Sequence, residues 1–65
     1  MEYDIVYIKD VGNSYMLKFL NGRYKNMYVY LSSSSRAQEK CREIYEQTFF
    51  IKIFNHYIGF CRGKY

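Results

Sequence analysis

The chain has 65 residues, a formal net charge of +4, nine tyrosines, five phenylalanines, no tryptophan and no proline. That length allows one domain, 1–65, of marginal stability, because a fold of this size buries only about 60% of the surface its unfolded chain exposes. The 49% hydrophobic fraction excludes a disordered chain, no apolar run reaches the ~20 residues of a membrane span, and the opening Met1-Glu2-Tyr3-Asp4 carries acid where a signal peptide carries base. The expectation is a soluble, cytoplasmic protein.

Tyr3 to Lys9 (YDIVYIK) is β-branched and aromatic and predicts a first strand, ended by the turn cluster Asp10-Val11-Gly12-Asn13-Ser14. Tyr15 to Leu20 predicts a second strand. Asn21-Gly22 follows, and since both central positions of a type I′ turn need positive φ, the pair predicts a tight hairpin into a third strand, Arg23 to Leu31. Ser32 to Ser35 end the sheet run; Ser35 with Gln38 fits the S-x-x-Q capping box, which predicts a helix from near Arg36. Along it Ala37, Cys41, Ile44, Tyr45 and Thr48 recur at helical spacing, a narrow stripe of mostly small side chains. Thr48 to Phe54 (TFFIKIF) has the density of a strand, and a turn near Asn55-His56 returns the chain through Tyr57 to Arg62. Gly59, inside that last strand, implies a bulge or a close backbone approach. The expected fold is α+β in the order β-β-β-α-β-β, an antiparallel sheet of four to five strands packed against one helix.

A two-residue loop at Asn21-Gly22 sets Phe19 opposite Tyr24, Leu17 opposite Asn26 and Tyr15 opposite Tyr28, and opposed residues share a face. One face then collects Val6, Ile8, Tyr15, Leu17, Phe19, Tyr24, Tyr28 and Tyr30, with Asp4 and Asn26 as its polar interruptions. The other mixes Tyr3, Ile5, Tyr7, Met16, Leu20, Met27, Val29 and Leu31 with Lys9, Lys18, Arg23 and Lys25. Lys18 falls opposite Lys25, a repulsive pair if buried, so that tip must be wet. The charges favour a helix over the aliphatic half of this second face, near Met27, Val29 and Leu31, with tyrosines left outside. A β-bulge near Gly12 or Gly22 shifts the register by one residue and mixes the two sets.

Tyrosine joins a large contact area to a phenol that tolerates water, which enriches it at protein interfaces. Tyr15, Phe19, Tyr24, Tyr28 and Tyr30 are therefore the expected partner-binding residues, on a surface that a second copy of the chain would also cover. Lys18, Arg23, Lys25 and Arg62 are the basic rim, with Lys64 beyond it; in the alternative reading these cations contact nucleic-acid phosphate while Phe19 and Tyr24 stack on bases. His56 is the single histidine and has no second base or carboxylate at informative spacing, so no catalytic residue is expected. Cys41 and Cys61 match no metal or redox spacing; they are expected as buried thiols, with one bridge between helix and last strand as the alternative. No metal and no cofactor are expected.

Residues with A/T-rich codons (Phe, Tyr, Met, Ile, Asn, Lys) number 33 against nine with G/C-rich codons (Gly, Ala, Arg, Pro). That bias, with the small size, points to a phage or other mobile element. The functional expectation is a small non-enzymatic inhibitor, virus-encoded, that binds a host protein of the defence type through a tyrosine-rich sheet face. A basic nucleic-acid-binding module is the alternative.

Overall fold

A computed structural model describes residues 3–63. The elements are β1 (Asp4–Asp10), β2 (Tyr15–Phe19), β3 (Tyr28–Leu31), α1 (Ser34–Ile44), β4 (Gln47–Ile53) and β5 (His56–Arg62), the β-β-β-α-β-β order expected of an α+β chain. The five strands form one antiparallel sheet in the order β3-β2-β1-β5-β4. The three-stranded meander β1-β2-β3 and the hairpin β4-β5 thus meet along β1 and β5, and α1 packs on one side of the sheet.

The first hairpin closes through a four-residue loop, Val11 to Ser14, between the paired residues Asp10 and Tyr15. Gly12 sits at φ 107° and donates its amide to Asp10 Oδ1 at 2.9 Å, while the Val11 amide donates to the Ser14 carbonyl. This register puts Val6 beside Phe19 and Ile8 beside Leu17 on one face.

The second hairpin departs from the tight turn that Asn21-Gly22 predicts. Strand β2 stops at Phe19 and β3 starts at Tyr28, so the connection runs through eight residues, 20–27. The Asn21 amide is used elsewhere: its Oδ1 accepts from the Ile5 amide at 2.6 Å and its Nδ2 donates to the Tyr3 carbonyl, continuing the edge of β1. Gly22, at φ 82°, lies against the Asp4 carboxylate, where any Cβ would collide. Asn26 takes φ 70°, and Phe19 bonds to both its amide and the Met27 carbonyl, so two residues oppose one in a bulge.

The pairing is consequently Leu17 with Val29, Tyr15 with Leu31 and Lys18 with Tyr28. Compared with the two-residue loop the register moves by three residues, an odd number, and every β3 side chain changes face. Val29 and Leu31 join the helix side; Tyr28 and Tyr30 leave it. Lys18 faces a tyrosine rather than Lys25.

Helix α1 begins two residues earlier than the Ser35 capping box implies. Ser33 is the N-cap, with its hydroxyl accepting from the Arg36 amide at 3.2 Å. Ala37 and Cys41, one turn apart, present small side chains that let the helix close on the sheet, and Tyr45 follows at the C-cap. Together with Val6, Ile8, Leu17, Phe19 and Cys61 they form the buried core. The helix therefore covers the face of Val6 and Phe19, not the lysine-bearing one, because burying Lys9 or Lys18 under it would strand a charge in an apolar interior. Gly59 in β5 sits at a close approach: a Cβ there would stand 2.6 Å from both Val6 Cγ2 and Phe50 Cε1.

Candidate functional site

The side of the sheet opposite α1 is covered by nothing among the described residues. Alternation along the paired strands delivers to it Ile5, Tyr7 and Lys9 from β1, Met16 and Lys18 from β2, Tyr28 and Tyr30 from β3, Phe49, Ile51 and Ile53 from β4, and His56, Ile58, Phe60 and Arg62 from β5. Exposure is greatest toward both edges, with Tyr30 at 62% and Phe49 at 63%. Soluble monomers rarely leave contiguous apolar patches larger than a few hundred Å² bare. Five strands of four to seven residues, about 4.8 Å apart, span an area of that order.

The face has two halves. The β2–β3 side is tyrosine with cation: Lys18 Nζ lies 5.1 Å from the Tyr28 ring centroid. In the centre Tyr7 and His56 stack with centroids 5.2 Å apart. The β4–β5 side is aliphatic and phenylalanine, with Ile51, Ile53, Ile58, Phe49 and Phe60. At its far end the Arg62 guanidinium lies 5.2 Å from the Tyr3 ring and donates to Gln47 Oε1 at 2.8 Å.

No described acidic residue lies on this face. Asp4 and Asp10 share the helix side with Val6 and Ile8, Glu39 and Glu43 ride on α1, and Glu46 follows it. The open face is thus cationic although its centre is apolar.

The expected partner-binding residues divide accordingly. Tyr28 and Tyr30 stand on the open face. Phe19 is completely buried beneath the helix, and Tyr15 and Tyr24 are half-buried against the same core, Tyr24 with its ring 5.6 Å from that of Phe19. Of the basic rim, Lys18 and Arg62 are on the open face, while Arg23 and Lys25 occupy the exposed loop between β2 and β3; Lys64 lies outside the described residues. Reading by sequence missed Ile5, Tyr7, Phe49, Ile51, Ile53, Ile58 and Phe60 as members of one surface. The strand density of TFFIKIF was visible, but only strand order joins it and HYIGFCR to β1.

On the helix side two polar groups are buried with their partners. The Tyr45 hydroxyl donates to Asp4 Oδ2 at 3.0 Å, and burial followed by this hydrogen bond pushes the phenol well above its ordinary value. Cys41 and Cys61 are free thiols, buried side by side. Their mutual hydrogen bond, then burial, pushes the Cys41 thiol up and holds it neutral. A thiol held neutral in this way is a poor nucleophile.

Among the described residues, chemistry-bearing side chains do not converge elsewhere. Among the described residues no three of His, Cys, Asp and Glu come together as metal ligands. The depression beside α1, lined by Leu31, Arg36, Glu39, Lys40 and Glu43, is a shallow solvated groove with an exposed Lys40–Glu43 pair at 3.9 Å. Among the described residues no helix is long and apolar enough to cross a membrane. Fold and face together define a small antiparallel α+β domain with one side packed and one side bare. Compared with known proteins, the chain matches no family, no curated protein and no solved structure.

Proposed function

We propose that the chain is a non-enzymatic protein-binding domain that holds its partner on the open sheet face. The observation that carries this is the delivery of apolar and aromatic side chains by all five strands to a surface that no other element covers. A partner seated there would desolvate Tyr7, Tyr28, Tyr30 and Phe60, the residue types that dominate interface energetics. Lys9, Lys18 and Arg62 would orient a partner that offers acid. A domain with one helix spent on its core acts on that partner by occupying its surface, which is inhibition or redirection. The small size and the A/T-rich residue usage support the finer reading, a virus-encoded inhibitor of a host defence protein in the host cytoplasm.

A second reading, single-stranded nucleic acid on the same face, draws support from a surface that holds no acidic side chain among the described residues and on which Lys18 neighbours Tyr28. Ile51, Ile53 and Ile58 weigh against it, since aliphatic side chains offer bases no stacking partner.

Affinity capture with the double variant Tyr28→Ala/Tyr30→Ala as comparison tests the proposal. The expected result is a stoichiometric protein that survives nuclease and high salt on the wild type and is lost from the variant. Recovery of only nuclease-sensitive, salt-labile material, weakened by Lys18→Ala, establishes the second reading instead.

A further inference from the structure

We propose that β4 is a self-complementary edge through which two copies of the chain join their sheets, antiparallel and two-fold related about Ile51. This is independent of what covers the open face. Strand β4 is the outer strand on its side of the sheet, seven residues long, with neither proline nor glycine, and most of its side chains are exposed. The opposite edge, β3, has four residues. A long, mostly apolar edge is a template for another strand, and Lys52 is the single charge on this one.

The backbone direction follows from one bond. The Asp10 amide donates to the Asn55 carbonyl, so Asn55, Tyr57 and Gly59 turn their backbone groups to β1, and His56, Ile58 and Phe60 turn theirs to β4. Their partners Ile53, Ile51 and Phe49 face inward. Thr48, Phe50 and Lys52 then point their amides and carbonyls outward, where no described strand meets them.

Side-chain pairing selects the register. A two-fold axis normal to the sheet keeps both helices on one side and pairs residues whose numbers sum to an even value. Centred on Lys52, the strands would oppose two ammonium groups; centred on Phe50, they would set Gln47 against Ile53. Centred on Ile51, they set Ile51 against itself, Phe49 against Ile53 twice, and Phe50 against Lys52 twice, with no like charges opposed. Thr48 then meets Phe54, which in the single chain is 93% exposed at φ 52°, a costly position for an aromatic residue. Joined this way, the two aliphatic halves lie side by side at the centre of one ten-stranded sheet, and the tyrosine and lysine halves form its two ends.

Sedimentation velocity of the full chain, from micromolar to millimolar concentration, tests the assignment. The expected result is a shift from the 8.0 kDa species to one of twice that mass. Ile51→Lys and Ile51→Glu each set like charge against like charge at the axis and should dimerise about tenfold more weakly or worse, whereas their equimolar mixture should dimerise again. Lys52→Pro removes an outward amide, leaves the open face unchanged and should be monomeric with a native circular-dichroism spectrum. A wild type that stays monomeric overturns the proposal. So does a dimer that survives both Ile51 variants, since association would then use another surface.

Discussion

Tyr45 shows how one side chain joins the helix to the start of the sheet. Its ring is fully buried in the core and its hydroxyl is committed to Asp4. Above about pH 10 the unfolded chain loses this proton while the folded chain keeps it, so the stability the phenol contributes is complete below that pH and declines as pH rises. Urea unfolding across alkaline pH is expected to show a loss approaching about 1.4 kcal/mol per pH unit for the tyrosine, absent from Tyr45→Phe. Gly59 is the other position where one atom decides. Gly59→Ala drives a methyl into Val6 and Phe50 in a packed interior, at an expected cost of about 1–3 kcal/mol, read as a lower urea midpoint with unchanged slope.

The helix start separates two readings of the serine run. The S-x-x-Q spacing favours Ser35, yet Ser33 makes the bond, because the chain leaving β3 at Leu31 must turn before α1 can lie across the sheet. Ser33→Ala is expected to cost about 1 kcal/mol in thermal or urea unfolding, and Ser35→Ala much less. The second hairpin carries the same lesson with a larger outcome. Asn21-Gly22 has the local chemistry of a type I′ turn, but the Asn21 amide gains more by completing the edge of β1 through Ile5 and Tyr3. The three-residue shift in register that results is what turns Tyr28 and Tyr30 outward. By contrast β4 and β5 were legible in outline, because TFFIKIF has the aromatic and β-branched density of a strand; the turn that joins them is Phe54-Asn55, one residue before the expected Asn55-His56, and His56 pairs with Ile53.

Across the whole molecule one helix serves one face, and substitutions sort by side. Phe19→Ala, beneath the helix, is expected to cost about 3–5 kcal/mol, comparable to the whole stability of a domain this small, and to unfold it at 25 °C. Tyr30→Ala, on the open face, is expected to change stability by no more than about 0.5 kcal/mol in the same urea titration. By itself the sequence determined the element order, the single helix, the strand-rich halves on either side of it and the surplus of aromatic side chains, because periodicity and turn chemistry are local properties of the chain. It also determined that some of those aromatics must remain uncovered, since the helical stripe of Ala37, Cys41 and Tyr45 is too narrow for two faces. Only the tertiary structure decided which ones. Strand order, the bulge at Asn26 and the use of Asn21 by β1 depend on contacts between residues distant in the chain, and an odd shift in register exchanges the core set of a strand for its surface set.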